Sequence, residues 1–432
     1  MSGALPSTPA EVRAQVAHGD DGALTRYITE SMMASPRWLV GDLYGPLAEA
    51  RAQSPVQPVS QWVLTGFGEH QHTLPIFADS PIFSAIGFRA VQQAFGDGST
   101  FSSAIHNRTI GQVWGETVLG FDDPEHRIHR ELISQAFTKG ALVRWETDVI
   151  SPVVDGLLDR FAGDDHAELT QQLTMLFPIY VIAELLGLPV EDRTQFTSWA
   201  VDTIMIFHDA ARALAASAAL GSYVDAIIER RRVEPGADLI SSLVGAELDG
   251  RRLTNLEIVS FVRLLLPAGA ETTYRSTSNL LFGLLSHPDQ LTALQADRDL
   301  LPAAIEEALR WEAPLTSVNR MATVDTELEG VAIPAGAIIE CSMGGANHDP
   351  DRWDDPERFD IHRSARPHLA FAGGPHTCIG LHLARLETRV AVTALLDRHP
   401  RLSLDREAPG PAVEIRGIGF RAPSRLPVRF DA

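Results

Sequence analysis

Helical periodicity is the feature of this 432-residue sequence that most restricts its fold. Apolar residues recur about every three to four positions in long segments separated by turn residues, which is typical of helices packed on a core. These segments are Val143–Phe161, Leu169–Leu186, Ala211–Arg231, Leu256–Leu266 continuing to Leu285, Leu301–Arg310 and Gly380–Arg398. The alternation typical of strands is confined to QWVLTGF (61–67), 327–344 and 414–430. The sequence therefore predicts a mainly α fold with a small β portion, in the α+β class.

The chain shows no boundary between domains. Composition is even and no Gly/Ser-rich linker divides the sequence, which predicts a single domain over residues 1–432, with residues 1–35 as an N-terminal extension. The irregular stretch 312–378 contains Trp353 and Phe359. We therefore expect a packed meander there, since disordered segments contain few aromatic residues.

Charge and hydropathy exclude several partners. The net charge of -20 disfavours nucleic acid and anionic lipid. The longest apolar run, Leu173–Leu188, contains Pro178 and Glu184 and is shorter than the roughly 20 residues of a membrane span, so we expect a core helix and no membrane association. The N-terminus has neither the basic nor the apolar region of a secretory signal, which predicts a cytoplasmic protein.

One of the two cysteines lies in a glycine-rich segment, FAGGPHTCIG (371–380). The other, Cys341, is distant in sequence, and a disulfide is not expected in a cytoplasmic protein. Helical periodicity from Ile379 onward places Cys378 at or just before the first turn of a helix, where free N–H groups and the helix dipole lower a thiol pKa. Taken alone, this pattern fits a buried inert cysteine, a nucleophile or an axial metal ligand.

The spacing F-x-x-G-x-x-x-C-x-G is met by Phe371, Gly374, Cys378 and Gly380, and with it the chain resembles the cytochrome P450 family of bacterial, soluble haem-thiolate monooxygenases. The resemblance implies the single-domain cytochrome P450 fold, with haem b between a kinked distal helix and the cysteine loop. It also implies that Cys378 is the axial thiolate ligand of the iron and that the other three residues contact the haem. Ala372 is a departure, because many bacterial members have glycine there.

A second segment, LLLPAGAETT, is similar to the distal helix motif A/G-G-x-D/E-T of the same family. Ala268 and Thr272 are four residues apart on one helix face, so a small residue leaves room beside a hydroxyl. Pro267 and Gly269 weaken the helix locally. Glu271 is about 100° around the helix from Thr272 and is expected to face a water channel and pass protons to the hydroxyl. The resemblance implies Glu271 and Thr272 as catalytic residues and Ala268 beside the haem; a kinked core helix is the alternative.

The segment EEALR offers Glu307 and Arg310, which in isolation predict only a weak surface ion pair. The resemblance implies instead a buried Glu-Arg-Arg cluster that supports the cysteine loop, with Arg358 as its third member.

Basic residues at positions that match the family are expected to bind the two haem propionates, since carboxylates near an interior need Arg and His donors. They are His126, Arg130, Arg320 and His376. His126 and His129 also have the spacing of a zinc pair, but no further ligands accompany them, so we discount zinc.

The expected substrate is a small hydrophobic organic compound, because the matching regions are apolar. The predicted pocket residues are Phe83, Phe88, Phe95, Leu265, Leu315, Val318, Ile418 and Phe420. Arg89 is a weaker hypothesis, as an anchor for a substrate carboxylate.

The resemblance implies a monooxygenase that inserts one atom of dioxygen into its substrate, most simply as a hydroxylation. The chain shows no flavin or nicotinamide domain, so we expect electrons from NAD(P)H through a separate ferredoxin reductase and ferredoxin. Arg127, Arg130, Arg385 and Arg389 are candidates for a basic docking patch, with simple helix solvation as the alternative. A peroxide-driven oxidase, a haem-thiolate rearrangement and a haem-binding module that recruits a partner without monooxygenase activity remain open.

Overall fold

The computed structural model describes residues 40–66, 80–204 and 209–430, together with Gly22. The predicted N-terminal extension, residues 1–35, lies outside this described part except for Gly22.

Helices form most of the described chain and confirm the predicted class. They are α1 (Tyr44–Gln53), α2 (Gln61–Leu64), α3 (Phe88–Gly96), α4 (Ile105–Thr109), α5 (Gly111–Trp114), α6 (Glu125–Ser134), α7 (Lys139–Trp145), α8 (Ser151–Asp159), α9 (Phe177–Leu185), α10 (Arg193–Ile204), α11 (Ala210–Val233), α12 (Leu239–Gly245), α13 (Asn255–Leu266), α14 (Thr272–Ser286), α15 (Pro288–Ala296), α16 (Leu301–Trp311), α17 (Met343–Asn347) and α18 (Leu381–Arg398). Single π-helical turns span Glu146–Ile150, Thr170–Thr174 and Pro267–Glu271, and 3₁₀ turns span Val190–Asp192, Arg298–Leu300 and Gly374–His376.

The strands are short. They are β1 (Val56–Gln57), β2 (Ile82–Ala85), β3 (Phe101–Ser102), β4 (His166–Glu168), β5 (Glu247–Leu248), β6 (Arg251–Arg252), β7 (Ser317–Ala322), β8 (Thr326–Leu328), β9 (Val331–Ile333), β10 (Ile338–Ser342), β11 (Leu402–Leu404), β12 (Ile415–Arg416), β13 (Ala422–Pro423) and β14 (Pro427–Phe430). A five-stranded sheet has the order β1-β2-β10-β7-β3, and a three-stranded sheet has the order β11-β14-β4. Within the larger sheet β2 and β10 are parallel, with Ile339 opposite Phe83, and the other pairs are antiparallel. Strands therefore occur in both predicted C-terminal segments.

The predicted strand in QWVLTGF is wrong for the described residues of that segment. Gln61–Leu64 form a helical turn, with the Ser60 hydroxyl accepting the N–H of Trp62 at 3.2 Å. The N–H of Gln61 donates to Glu340 at 2.7 Å. These two acceptors satisfy the first free N–H groups of a helix, which outweighs the apolar alternation of the segment. Phe67 lies outside the described residues.

The core is dominated by one cluster of apolar side chains from helices α6 to α18, and α3 packs on the larger sheet in a second cluster. The Leu173–Leu188 run belongs to the first cluster, as predicted, although it is interrupted by two turn residues between the π turn and α9. In the predicted meander Trp353 and Phe359 are buried, as expected for a packed segment.

Among the described helices, α11 is long and apolar enough to cross a membrane by length and composition alone. Leu220, Val224 and Ile227 on this helix are nevertheless buried in the large core cluster. The helix therefore packs as an element of the fold.

Helices α13 and α14 follow one another through the π turn Pro267–Glu271. The helix begins with a capping box, in which Thr254 and Glu257 satisfy each other's backbone N–H groups. Proline at position 267 has no N–H for the helical ladder, and a wider turn absorbs the break. The local weakening of the helix that the sequence predicts at Pro267 and Gly269 thus takes the form of a π-helical turn.

Candidate functional site

The cysteine loop is folded back on itself immediately before α18. The N–H of Cys378 donates to the carbonyl of Phe371 at 3.0 Å, and the N–H of Thr377 donates to the carbonyl of Gly374 at 3.1 Å. Helix α18 begins three residues later, at Leu381. Cys378 therefore lies just before the first turn of a helix, as the sequence predicts.

Two residues of this loop have left-handed backbone. Gly374 has φ +65°, and a Cβ there would lie 2.1 Å from the carbonyl oxygen of Phe95. Glycine is thus required where the loop contacts α3. Ala372 has φ +57°, a conformation that costs an L-residue about 1–2 kcal/mol. The departure from the family pattern at Ala372 therefore keeps the glycine-like backbone at the expense of strain.

The two thiols have different environments. Cys341 on β10 is fully buried, and burial raises its pKa to about 12. Cys378 retains an exposed side chain although protein surrounds it on most sides. Burial raises the pKa of the Cys378 thiol, against the lowering effects of the Gly380 N–H and of the Arg130 and Arg385 charges. The expected lowering of this pKa by the helix start is therefore wrong in direction for the protein alone, because desolvation is the larger effect.

The distal segment leaves an accessible patch on a buried helix. Ala268 is exposed and Thr272 is partly exposed, whereas the neighbouring Pro267, Glu271 and Thr273 are buried. The Thr272 hydroxyl donates to the carbonyl of Ala268 at 2.6 Å. Small side chain and hydroxyl are therefore brought together, as the sequence predicts.

Glu271 is buried in an ion pair. The residue is 7% exposed, so its side chain does not reach open solvent, and the water channel that the sequence analysis expects beside it stays a prediction. It accepts the Nε of Arg275 at 2.8 Å and forms a second, shorter contact with Nη2 of the same guanidinium. The i,i+4 spacing of the two residues carried the signal for this ion pair, and sequence reasoning missed it.

The predicted propionate ligands form one basic cluster. The rings of His126 and His376 are 3.9 Å apart between centroids. Burial and then the charges of His126 and Arg320, with smaller contributions from His106 and Arg130, lower the pKa of His376 to about 2. Sequence reasoning missed His106, which α4 brings to this cluster.

Two imidazole nitrogens of the cluster are buried without a hydrogen-bond partner among the described residues, Nε2 of His106 and Nε2 of His126. Arg320 is 2% exposed, and burial lowers its pKa. Burial of guanidinium and imidazole groups is unfavourable unless an acceptor or anion completes their bonding. The donor set therefore fits a ligand with two carboxylates, such as the propionates of haem.

The Glu-Arg-Arg cluster has a different third member from the predicted one. Arg358 is exposed and contacts Asp360 at 3.7 Å. Arg363 instead donates to Glu307 at 3.1 Å, opposite Arg310, which bonds to the same carboxylate at 2.8 Å. Arg358 contributes only its carbonyl, which accepts from both arginines. The turn at Asp360 directs the later arginine inward, so the assignment of Arg358 is corrected to Arg363.

The predicted pocket residues divide into two groups. Phe83, Phe88, Phe95 and Ile418 are at most 8% exposed and belong to packed hydrophobic clusters. Side chains that line an open cavity keep accessible area, so the pocket assignment of these four is corrected to the core. Leu265, Leu315, Val318 and Phe420 remain partly exposed. Arg89, the hypothetical anchor for a substrate carboxylate, is exposed on α3.

The four candidate docking arginines also divide. Arg385 donates to Glu306 at 2.6 Å and Arg389 to Glu146 at 2.7 Å, so both charges are locally neutralised. Arg127 is exposed, and within the described ranges neither it nor Arg130 has an ion pair. Both line a surface cleft of about 580 Å³ that reaches Pro375 of the cysteine loop.

The discounted zinc pair is not formed. His129 is directed at Glu257, with Nε2 2.9 Å from the carboxylate, whereas the ring of His126 lies against that of His376 with the two planes tilted by 34°. The Nη2 of Arg251 lies 3.0 Å from the same Glu257 oxygen and 2.9 Å from Glu125. Glu125, His129 and Glu257 are side chains that could bind a metal ion, and here the guanidinium of Arg251 supplies the positive charge among them.

Comparison with known proteins agrees with this arrangement. The family model described as cytochrome P450 matches residues 195–420. The cytochrome P450 monooxygenase PikC of Streptomyces venezuelae is 39% identical over 358 residues, which cover 81% of this chain and 85% of PikC. The 6-deoxyerythronolide B hydroxylase of Saccharopolyspora erythraea is 34% identical over 401 residues, 90% of this chain and 96% of that enzyme.

Solved structures that are similar to this chain are also cytochromes P450. CYP109E1 from Bacillus megaterium in complex with testosterone superposes with a TM-score of 0.79 at 30% identity, covering 90% of this chain and 100% of that one. P450BioI in complex with an acyl carrier protein ligated to hexadec-9Z-enoic acid superposes with a TM-score of 0.78 at 32% identity, covering 90% and 97%.

Proposed function

Since the chain belongs to the cytochrome P450 family and is a monooxygenase of the oxidoreductase class, we propose that Cys378 is the axial thiolate ligand of its haem, a haem b. The proposed reaction inserts one oxygen atom of dioxygen into a small hydrophobic substrate, with hydroxylation as the outcome. The whole chain acts as a single cytoplasmic domain in this proposal, without nucleic acid or membrane as partners.

The observation that carries the proposal is that the Arg130 guanidinium lies near enough to both Cys378 and His376 of the basic cluster for its charge to influence each of them. One guanidinium is therefore near both a thiol that can bind a metal and a set of basic side chains that can donate hydrogen bonds to carboxylates. This arrangement suits one ligand that has both a metal and two carboxylates. Haem is such a ligand, and His126, Arg130, Arg320 and His376 are its proposed propionate ligands, joined by His106.

The remaining contacts follow from the loop and the distal helix. Phe371, Gly374 and Gly380 shape the backbone around Cys378, and the guanidinium of Arg385 lies 4.6 Å from the centroid of the Phe371 ring. The exposed Ala268 leaves space on the distal helix. When bound, haem supplies the reductive activation of dioxygen, which side chains alone do not perform.

Protons are the contribution of the distal side chains. Thr272 holds a hydroxyl proton at Oγ1 on the accessible side of the helix, and Glu271 is the adjacent acid that replaces this proton from solvent. The two are the proposed catalytic residues.

The proposed substrate is a small hydrophobic organic compound. Leu265, Leu315, Val318 and Phe420 keep accessible apolar surface and are its proposed contacts. The testosterone complex of CYP109E1 and the fatty acyl complex of P450BioI are consistent with apolar substrates in similar folds.

Electrons are proposed to come from NAD(P)H through a separate ferredoxin reductase and ferredoxin. Arg127 and Arg130 support this proposal more than Arg385 and Arg389 do, because carboxylates of the chain already neutralise the latter pair. The cleft beside the cysteine loop is lined by Asp123 and Glu131 as well as by the two arginines, so its charges are mixed. Arg127 is exposed and has no ion pair among the described residues, and with Arg130 assigned to the haem it is the proposed contact for an acidic partner.

The absorption spectrum of the reduced, haem-loaded protein with carbon monoxide tests the ligand assignment. We expect a long-wavelength Soret band that Cys378→Ser abolishes and the matched control Cys341→Ser retains. A band that persists in Cys378→Ser would refute the assignment. Dioxygen-dependent NADPH consumption coupled to product, with surrogate redox partners, then tests the reaction; product formed only with added peroxide would replace it by the peroxide-driven route.

A further inference from the structure

The proposed acid and alcohol point in opposite directions along the distal helix. Thr272 is bonded one turn back, to the carbonyl of Ala268 at 2.6 Å. Glu271 is bonded one turn forward, to Nε of Arg275 at 2.8 Å. A carboxylate held toward residue 275 is directed away from a hydroxyl held toward residue 268. Proton transfer between them therefore requires Glu271 to leave Arg275.

Arg275 is itself firmly placed. Its side chain is 2% exposed, and its guanidinium carbon lies 4.8 Å from the ring centroid of Tyr274 and 5.3 Å from that of Phe420. Cation–π contacts of this kind strengthen when they are desolvated. Phe420 belongs to the C-terminal hairpin and bridges to Leu315, and both residues are proposed substrate contacts. The guanidinium is thus held between the acid and the wall of the proposed pocket.

We propose that Arg275 is a positioning residue that latches Glu271 away from Thr272, so that release of this ion pair controls proton delivery. The inference rests on the proposed function, in which Glu271 takes a proton from solvent water and passes it to Thr272 Oγ1 as the threonine gives up its own. Arg275 touches neither substrate nor haem in this scheme. It affects the reaction only by setting the fraction of molecules in which Glu271 is released from Arg275 and can rotate toward Thr272.

The latch predicts that replacing Arg275 raises activity. A residue that merely supports the fold lowers activity when it is replaced, whereas removal of a latch favours the transfer-competent conformer. We therefore expect Arg275→Gln to increase product formed per NADPH by at least about 2-fold. Loss of an exposed i,i+4 pair already changes a population by about this factor, and the pair of Glu271 with Arg275 is buried. The solvent deuterium isotope effect on product formation is expected to fall in the same variant.

The experiment compares four forms of the full-length, haem-loaded protein with a surrogate ferredoxin and reductase: wild type, Arg275→Gln, Glu271→Gln and the double variant. Glu271→Gln is expected to lower coupling, and the double variant is expected to match it. An effect of Arg275→Gln that persists when residue 271 is glutamine would overturn the latch, and so would an Arg275→Gln protein identical to wild type. If Glu271→Gln behaves as wild type, the proposed role of Glu271 is refuted and the latch with it.

Two controls separate positioning from folding. Arg275→Lys keeps the charge and is expected to restore coupling to the wild-type range. Arg421→Gln removes another buried arginine, which bonds to Glu312 at 3.0 Å, and is expected to lower stability without changing the isotope effect. A crystal structure of Arg275→Gln gives a readout independent of activity: we expect the Glu271 carboxylate within hydrogen-bond reach of Thr272 Oγ1. A carboxylate that stays beside residue 275 would refute the proposal.

Discussion

Arg363 donates from Nε to both carboxylate oxygens of Glu307, each at 3.1 Å. On the other side Arg310 donates from Nε and Nη2 at 2.9 and 2.8 Å. One buried carboxylate therefore holds two guanidinium groups. Arg310 also bonds to three carbonyls of the meander, those of Asn347, Pro356 and Arg358. The cluster thus fixes the chain that leads into the cysteine loop.

This relationship predicts unequal effects for the two arginines of the meander. Arg363→Ala leaves the Glu307 side chain, which is 4% exposed, with Arg310 as its remaining guanidinium partner, and the loss of hydrogen bonds to a buried charged group is expected to cost about 1–3 kcal/mol. Arg358→Ala removes only an exposed side chain and is expected to change stability by less than about 0.5 kcal/mol. Urea unfolding of the haem-loaded protein measures both. Equal destabilisation would contradict the assignment of Arg363 as the third member.

The glycine pair of the cysteine loop offers a second matched test. Gly374→Ala places a Cβ 2.1 Å from the Phe95 carbonyl oxygen on left-handed backbone, whereas a Cβ at Gly373 would lie 3.5 Å from its nearest neighbour. Gly373 has φ -161°, an extended conformation that any residue adopts. We expect Gly374→Ala to lose at least about 1–2 kcal/mol of stability and part of its haem, and Gly373→Ala to resemble wild type. Haem content and the thermal unfolding midpoint check this, and a stable Gly374→Ala protein would contradict it.

Local motifs explain what could be predicted from the sequence. The position of Cys378 before a helix and the irregular turn at Pro267 depend on residues a few positions apart, so spacing in the sequence is enough to predict them. The ion pair of Glu271 with Arg275 was equally readable from its i,i+4 spacing. The direction of the Glu271 side chain could not be predicted in this way, because spacing does not show which of several possible partners a carboxylate binds.

Other features depend on tertiary structure. Arg358 and Arg363 lie in an irregular stretch where no periodicity tells which side chain turns inward. Apolar character does not separate a core phenylalanine from one that lines a pocket, and Phe83 and Phe95 were assigned to the wrong class for this reason. His106 reaches the basic cluster only because α4 packs near β7, a contact between segments more than 200 residues apart.

The electron-transfer proposal predicts a specific role for Arg127. Arg127→Glu reverses an exposed charge beside the cleft and is expected to slow ferredoxin-driven reduction roughly 10-fold at low ionic strength. The double variant Arg389→Ala, Glu146→Ala removes an ion pair that is already neutral, and it is expected to leave the rate unchanged. Stopped-flow reduction with increasing salt measures both, because screening should reduce the difference. An Arg127→Glu protein that is reduced at the wild-type rate would remove the proposed docking patch.

The two cysteines predict a simple thiol count. In haem-free protein Cys378 is exposed and Cys341 is fully buried with a pKa of about 12, so a thiol reagent should react with Cys378 in a first phase that is rapid relative to the reaction of Cys341. Because burial raises the pKa of Cys378 as well, this first phase is expected to accelerate with rising pH. Cys341 should react only after denaturation. Cys378→Ser is expected to abolish the rapid phase and Cys341→Ser to leave it intact. If both thiols reacted rapidly in the folded protein, the burial of Cys341 on β10 would be contradicted.

Glu387 predicts a pH dependence of stability. It is 3% exposed on α18, and burial raises its pKa to about 8, against the lowering effect of a hydrogen bond with Thr273. A carboxyl group whose pKa is higher in the folded state favours folding in its protonated form. Its contribution is therefore complete below the ordinary value of 4.5 and is lost as the pH rises through about 8.

The variant Glu387→Gln keeps the size and the hydrogen-bonding capacity of the protonated acid but cannot ionise. We expect it to equal wild type in stability below pH 4.5 and to exceed it increasingly as the pH rises to about 8. Glu340, whose pKa burial raises to about 7, adds a slope of the same sign, so the difference between variant and wild type isolates Glu387. Urea unfolding at a series of pH values gives this difference, and a constant difference across the range would show that Glu387 does not titrate there.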